Sequence, residues 1–260
     1  MKRILIALDI GNEFGWALCR FQSKVRCLAQ YYDGTYVVTT PDRHFMYEDF
    51  ARPYTEITKK YHPDMWRFRD CEVTYLHPDK VLCHSIGNDK FIKFGKKVVK
   101  FNEFNDKTEM LKCIAVHMRK KQDGREWGES KWREFVEGLQ KETKLPIISI
   151  GSNLWVHNIL VHEYWEHPSQ DILASSVLCI GPSSGAMHLA SLCGCEHLVW
   201  TDRKIWNLGF KKGTNRERYE TAWNPLKTPV TVIDDQGWNP PVSVILNETR
   251  RILRRKGIIK

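Results

Sequence analysis

Polar groups that suit a phosphate stand together in residues 182–185, Pro-Ser-Ser-Gly. Val177–Gly181 before them predicts a buried strand, Ala186–Cys193 after them predicts a helix, and Glu196–Thr201 predicts the next parallel strand. A helix N-terminus offers unpaired N–H groups and the positive end of the helix dipole, and both bind phosphate. The candidate phosphate-binding residues are Ser183, Ser184 and Gly185. The alternative is an ordinary strand–helix–strand unit in which a serine only caps the helix.

Cationic and titratable side chains follow another apolar run, Cys113–Met118, which predicts a buried strand. Arg119 comes directly after it and can hold a phosphate through two hydrogen bonds, and Lys131 can add a point charge. His117 lies at the end of the same strand. The alternative for this segment is a solvated basic loop.

Two later residues are further candidates for the same ligand. His188 lies one helical turn after Ser184, so it either faces that ligand or packs as a satisfied buried histidine. Arg218 belongs to a basic, polar stretch, residues 211–219, which is either a lid over a phosphorylated ligand or only a connection.

A third polar turn, residues 9–15, follows the first predicted strand, Arg3–Leu8. It contains two carboxylates, Asp9 and Glu13, either of which can act as a general base on a hydroxyl. Glycine allows a sharp turn and the close approach of a ligand. The other residues that could form this turn's ligand-facing edge are Gly11, Asn12 and Gly15. The alternative is an acidic start of a helix, which complements the helix dipole.

Alternating strands and helices position these turns. The pattern predicts an α/β fold with two Rossmann-like halves, an N-terminal domain over 1–108 and a C-terminal domain over 109–260. Ligands of such sheets lie beyond the carboxyl ends of the strands, where all three turns are expected. The remaining predicted elements are helices at Trp16–Tyr31, Tyr47–Tyr61, Ser130–Lys141 and the basic C-terminus, and strands at Thr35–Thr40, Ile147–Ile150 and Pro229–Ile233.

Composition excludes several classes of protein. The 260 residues contain no apolar run near the roughly 20 residues of a membrane span, and the N-terminus predicts a strand rather than a signal peptide. The eight cysteines include no CxxC pair, so we expect free thiols, a cytoplasmic protein and no metal site. No GxxxxGK[ST] or GxGxxG motif occurs, which disfavours a P-loop NTPase or an ordinary NAD enzyme. The net charge of +9 suits nucleic acid, an anionic membrane or phosphorylated small molecules.

Residues 182–190, PSSGAMHLA, resemble the D-S-G-x-x-H-x-A segment of family 9 glycosyltransferases, the heptosyltransferase group of the GT-B fold. Residues 128–135 resemble the K-x-W-x-x-x-x-F helix start of that family, and residues 10–15 stand where it has a glycine-rich turn with a catalytic Asp. Residues 116–119 are similar to the H-x-R segment of GT-B fucosyltransferases, whose Arg contacts the donor diphosphate. The chain departs from family 9 at Ser183, which replaces an Asp, and at Glu13, which would replace the catalytic Asp.

The resemblance implies two domains facing a cleft, with the C-terminal helix returning to the N-terminal half. It implies a metal-independent glycosyltransferase that moves a sugar from a nucleotide-sugar donor to a glycan or lipid-linked acceptor, with no cofactor besides the donor. Glu13, with Asp9, would be the catalytic base, beside an acceptor-side turn of Gly11, Asn12 and Gly15. The donor-binding residues would be His117, Arg119, Lys131, Ser183, Ser184, Gly185, His188 and Arg218.

Three alternatives remain open from the sequence. The basic surface and the many aromatic residues would also suit a glycosyltransferase that acts on modified DNA bases, although no DNA-binding motif occurs. Ser183 in place of the family's Asp keeps open an inactive module that only binds a nucleotide or a carbohydrate. Residues 250–256, RRILRRK, predict an amphipathic helix whose basic face is either a solvated surface or a weak peripheral contact with the inner face of a membrane.

Overall fold

The structure is a computed structural model. It describes residues 1–10, 14–55, 70–76, 93–94, 97–98, 112–119, 123–150, 160–161, 169–208, 211–221, 223–224 and 226–260. Parallel sheets flanked by helices give it a mixed α/β fold of the predicted class. The chain divides into two compact units, residues 1–99 with 207–212 and residues 100–206 with 213–260. The division of roles between an acceptor side and a donor side stays a prediction.

The N-terminal unit is built on a four-stranded sheet in the order β3-β2-β1-β4. All three strand pairs are parallel, and β1 lies between β2 and β4. The buried side chains of β1 include Leu5 and Ile6, neither of which is exposed. The elements are β1 Lys2–Leu8, α1 Phe14–Trp16, a π-helical turn Ala17–Phe21, α2 Gln22–Ala29, β2 Gly34–Val38, a 3₁₀ turn Pro41–Met46, β3 Arg52–Tyr54, β4 Cys71–Leu76, and a hairpin of β5 Lys93–Phe94 with β6 Lys97–Val98.

The predicted helix at Tyr47–Tyr61 is wrong over the residues that the structure describes. Residues 47–51 form turns, and Arg52–Tyr54 pairs with β2 as a parallel strand. Tyr47 is fully buried, and Pro53, which lacks an N–H, lies in the outermost strand of the sheet, where a proline is tolerated. Residues 56–61 lie outside the described part of the chain.

The C-terminal unit contains a six-stranded sheet in the order β14-β11-β10-β7-β8-β9, with every pair parallel. Its central strands are apolar because helices cover both faces of such a sheet. The elements are β7 Cys113–Val116, α3 Glu129–Gln140, β8 Ile147–Ser149, β9 Leu160–Val161, α4 Ser169–Ser175, β10 Ser176–Pro182, α5 Gly185–Leu192, β11 His197–Trp200, α6 Asn215–Tyr219, β14 Val230–Ile233 and α7 Val242–Arg255. Between β11 and α6 the chain forms the paired strands β12 Trp206–Leu208 and β13 Lys211–Gly213, and residues 207–212 of this segment belong to the N-terminal unit.

Helices α3 and α7 close one core of this unit. Trp132, Phe135, Val136 and Leu139 repeat at helical spacing along α3, and all four are fully buried. The ring of Trp127 lies 4.9 Å from the ring of Trp132 and 5.0 Å from that of Trp200, so aromatic contacts join α3 to β11. The apolar stripe of α7 belongs to the same cluster.

The resemblance implied that the C-terminal helix returns to the N-terminal half, which stays a prediction. Within its own unit, α7 packs on α3, because its apolar stripe completes that core. Its basic side chains are also engaged there. Arg250 pairs with Glu142, and Arg255 and Lys256 both pair with Glu196, which is 7% exposed.

Truncation of Phe135 to alanine should test this core. We expect Phe135→Ala to lower the free energy of unfolding by about 3–5 kcal/mol, because it removes a fully buried ring and leaves a cavity. The measurement is urea unfolding followed by tryptophan fluorescence, since three tryptophans line the same cluster. The control is Glu134→Ala, one residue away on the exposed face, which should change the free energy by less than about 0.5 kcal/mol. Equal effects of the two substitutions would contradict this packing.

Candidate functional site

The strand order of the C-terminal sheet creates a switch point between β7 and β10. From β7 the chain adds β8 and β9 on one side, and then β10, β11 and β14 on the other. This is the strand order of a dinucleotide-binding sheet, in which ligands bind outside the carboxyl ends of the strands where the order reverses. The residues that follow β7 and β10 therefore lie at the carboxyl edge of the sheet, where folds with this strand order bind ligands. That residues of these two turns bind a ligand stays a prediction.

The turn after β10 presents a buried hydroxyl at the start of α5. Ser184 has extended backbone angles and is the N-cap of α5, but its side chain makes no capping hydrogen bond. The residue is 6% exposed, and its Oγ has no hydrogen-bond partner among the described residues. A buried polar atom without a partner costs about 1–3 kcal/mol, so such an atom beside the first N–H groups of a helix indicates a place for a ligand. The interpretation of Ser184 as only a helix cap does not describe this geometry.

An aromatic cluster contacts Ser183 and His188, two further predicted residues of this turn and helix. The hydroxyl of Tyr219 donates to Oγ of Ser183 at 3.1 Å. The imidazole of His188 lies 5.3 Å from the ring of Tyr219 and 4.5 Å from that of Trp223. Arg218 stacks over Trp223 at 5.3 Å, and burial lowers its pKa. One packed group next to Ser183 thus contains His188, Arg218, Tyr219 and Trp223.

Helix α6 was not predicted from the sequence. Residues 211–219 were expected to form a lid or a connection, but Asn215–Tyr219 is helical. Thr214 and Glu217 form a reciprocal capping box at its start, and this T-x-x-E spacing is the signal that could have revealed the helix. Asn215 Nδ2 donates to Oγ1 of Thr201 at 2.6 Å, which ties α6 to the carboxyl end of β11.

His117 is held in one tautomer at the end of β7. Its Nδ1 donates to the carbonyl of Ile150 at 3.1 Å, and burial lowers its pKa to about 4. The neutral ring therefore carries its proton on Nδ1 and has a lone pair on Nε2, which accepts a hydrogen bond. Gly181 lies beside it, because a Cβ at that position would stand 3.0 Å from the Cβ of His117. Nε2 of a neutral His117 therefore suits a ligand hydroxyl, which can donate a hydrogen bond to it, better than a phosphate oxygen.

Arg119 lies at the switch point, and a carboxylate holds it. Its Nε donates to Oδ1 of Asp123 at 3.1 Å, and its Nη2 donates to the other oxygen. Arg125 binds the same carboxylate through Nε at 3.2 Å. The two guanidinium groups hold the pKa of Asp123 well below its usual range. Arg119 is 8% exposed, so it is not part of a solvated basic loop.

Lys131 and the N-terminal carboxylates have other surroundings. Lys131 Nζ donates to Asn239 Oδ1 at 2.8 Å and to the carbonyl of Pro240 at 3.0 Å, which fixes the loop before α7. Asp9, at the carboxyl end of β1, is 1% exposed and accepts hydrogen bonds from Thr39, Arg43 and Tyr47 at 3.2, 3.1 and 2.9 Å. Gly15 lies in α1. The other predicted residues of this turn, Gly11, Asn12 and Glu13, lie outside the described residues.

Among the described residues, no three His, Cys, Asp or Glu side chains come together in a way that could hold a metal ion. No helix in the described part of the chain is both long enough and apolar enough to cross a membrane.

Comparison with solved structures supports the fold. E. coli ADP-heptose LPS heptosyltransferase II is 11% identical with a TM-score of 0.61, over 99% of this chain and 100% of that one. The heptosyltransferase TibC in complex with ADP-D-β-D-heptose is 10% identical with a TM-score of 0.58, over 98% and 77%. A UDP-N-acetylglucosamine 2-epimerase from Listeria monocytogenes, described as putative, is 10% identical with a TM-score of 0.50, over 99% and 89%.

These similarities establish a GT-B-like fold with two Rossmann-like domains and leave the reaction open, because the identities are low. In another structure, the iron-containing dodecameric glycosyltransferase TibC from enterotoxigenic E. coli, this chain spans only 62% of the matched chain's length, with a TM-score of 0.52. No protein-family model matches the sequence, and a search of curated proteins finds no match.

Two buried histidines should make stability fall with acid. Burial lowers the pKa values of His117 and His197 to about 4, whereas unfolding returns each to about 6.5. Between these values the unfolded chain binds more protons, so the free energy of unfolding should decrease as the pH falls from 6.5 towards 4, by up to about 2.7 kcal/mol per pH unit for two protons. Urea unfolding at several pH values measures this slope. His197→Gln should show about half of it over pH 5–6.5, and an unchanged slope would contradict the assignment.

Proposed function

We propose that this protein is a glycosyltransferase that binds the diphosphate of a nucleotide-sugar donor at the switch point of the C-terminal sheet. The observation that carries the proposal is the buried Ser184 hydroxyl at the N-terminus of α5, which has no hydrogen-bond partner in the part of the chain that the structure describes. Phosphate oxygens would accept from this hydroxyl and from the first N–H groups of the helix. The GT-B-like fold and the ADP-heptose bound to TibC agree with a nucleotide-sugar donor.

The cationic environment would stabilise the leaving group. Departure of a nucleoside diphosphate places negative charge on phosphate oxygens, and the dipole of α5 and the guanidinium of Arg119 would offset that charge. Nε2 of His117 would accept a hydrogen bond from a hydroxyl of the nucleotide sugar, because the Nδ1 proton is already donated to the carbonyl of Ile150. Tyr219 and His188 would position Ser183 and the N-terminal turn of α5. No step of the proposal involves a metal ion.

Glu13 would be the base that activates the acceptor. The acceptor oxygen attacks the anomeric carbon, the bond from that carbon to the phosphate oxygen breaks, and the nucleoside diphosphate leaves with the electron pair. The acceptor's proton passes to the Glu13 carboxylate. Asp9 would serve as a positioning residue, since Thr39, Arg43 and Tyr47 already occupy its carboxylate. The acceptor that we propose is a hydroxyl of a glycan or a lipid-linked sugar.

Ser184→Ala separates a ligand contact from a structural role. Because no described residue forms a hydrogen bond with Oγ of Ser184, its removal should leave the melting temperature unchanged or slightly higher. The affinity for the nucleoside diphosphate that binds best among ADP, GDP, UDP and CDP should fall about tenfold, since a hydrogen bond to a charged group is lost. Calorimetry measures the affinity.

The control for Ser184→Ala is Ser243→Ala, which removes an exposed hydroxyl from α7 and should change neither quantity. A lower melting temperature with unchanged affinity in Ser184→Ala would show that the hydroxyl is structural and would contradict the proposed donor site.

Glu13→Gln tests the base. The amide cannot take up a proton, so we expect kcat to fall by a factor of about 100 or more, with the donor dissociation constant changed by less than about twofold. The readout is nucleoside diphosphate release in the presence of an acceptor, with donor binding measured separately. The matched control is Glu48→Gln, at an exposed position of the same unit. A variant with wild-type kcat would remove Glu13 as the base.

A further inference from the structure

Two arginines share one carboxylate beside the switch point. Asp123 accepts from Nε of Arg119 at 3.1 Å and from Nε and Nη2 of Arg125 at 3.2 and 2.5 Å. The Arg119 side chain is 9% exposed, and those of Asp123 and Arg125 are 23% and 30% exposed. Asp123 is thus the less protected partner of a buried guanidinium.

The positions of both arginines are fixed from outside the pair. Arg119 follows β7, and His117 N still donates to the carbonyl of Ile180 in β10, so the chain leaves β7 directly beside the turn after β10. Arg125 lies 5.5 Å above the ring of Trp238. The indole N–H of Trp238 donates to Asp202 at 2.9 Å, just beyond the carboxyl end of β11. Both guanidinium groups are therefore held at the ligand-binding edge of the sheet.

The geometry that holds Asp123 is also the geometry that holds a phosphate. Arginine binds carboxylates and phosphates through the same pair of parallel N–H groups. Two guanidinium groups here share one carboxylate with a single negative charge, whereas the diphosphate of a nucleotide sugar carries two negative charges and would offer one to each guanidinium. A diphosphate therefore matches the charge of this arginine pair better than Asp123 does.

We propose that Arg119 and Arg125 form an anion site for the donor diphosphate, and that Asp123 is an internal competitor whose carboxylate gives up the site when the diphosphate binds. This inference rests on the proposed function, which places the diphosphate at the adjoining turn. Asp123 returns to the arginines as the nucleoside diphosphate leaves, so the competitor weakens product binding and favours its release.

The test measures the affinity for inorganic pyrophosphate and for ADP by calorimetry. Asp123→Asn should bind both about tenfold more tightly than the wild type, because the competing charge is gone while the arginines remain. Arg125→Gln should bind both about tenfold more weakly. The control is Glu129→Gln, which removes an exposed negative charge at the start of α3 and should change the affinity by less than twofold.

The inference is overturned if Asp123→Asn binds pyrophosphate and ADP no more tightly than the wild type does. It is also overturned if neither the wild type nor Asp123→Asn binds either ligand. If Asp123→Asn does not fold, an unchanged affinity in Arg125→Gln overturns it, since that side chain is partly exposed. Tighter pyrophosphate binding by Asp123→Asn without binding of any nucleotide sugar would contradict the proposed function alone. If nucleotide sugars bind with an affinity that neither Asp123→Asn nor Arg125→Gln changes, only the anion site is contradicted.

Discussion

The close packing of β10 against β7 is the constraint on which the C-terminal unit depends. At Gly181 a side chain would meet the Cβ and the carbonyl oxygen of His117 at 3.0 and 3.1 Å, and the sulfur of Met187 at 3.2 Å. Only glycine avoids these contacts. The two strands therefore end side by side, so the chain leaves β7 through His117 and Arg119 next to the turn at Ser183 and Ser184. This contact brings the polar groups of the two turns to the same edge of the sheet.

The ion pairs of the C-terminal unit differ in how many positive side chains share one carboxylate and in where they lie. At the C-terminus, Arg250, Arg255 and Lys256 pair with Glu142 and Glu196, which joins α7 to its own unit. At the sheet edge, by contrast, Arg119 and Arg125 share a single carboxylate. The first arrangement gives several basic side chains of the C-terminal helix a structural role. The second leaves positive charge where an anionic ligand would bind.

Local patterns in the sequence predicted the C-terminal fold well. The strand–turn–helix–strand unit is confirmed within about one residue, with β10 at Ser176–Pro182 and α5 at Gly185–Leu192, because apolar runs and helical spacing are local signals. The stripe of Trp132 and Phe135 in α3 is confirmed for the same reason. What the sequence could not show is pairing over long distances. Lys131 binds the loop at Asn239, 108 residues away, and only the folded chain brings the two together.

The most direct measurement of the central claim is thermal unfolding of the purified protein against ADP-, GDP-, UDP-, CMP- and dTDP-sugars. A ligand at about 100 times its dissociation constant should stabilise the native state by roughly 2.7 kcal/mol, which raises the melting temperature measurably. We expect a selective rise with one nucleotide sugar, and loss of that rise in Arg119→Ala. A melting temperature that none of the five raises, in the presence or absence of glycan acceptors, would contradict a donor site at this sheet edge.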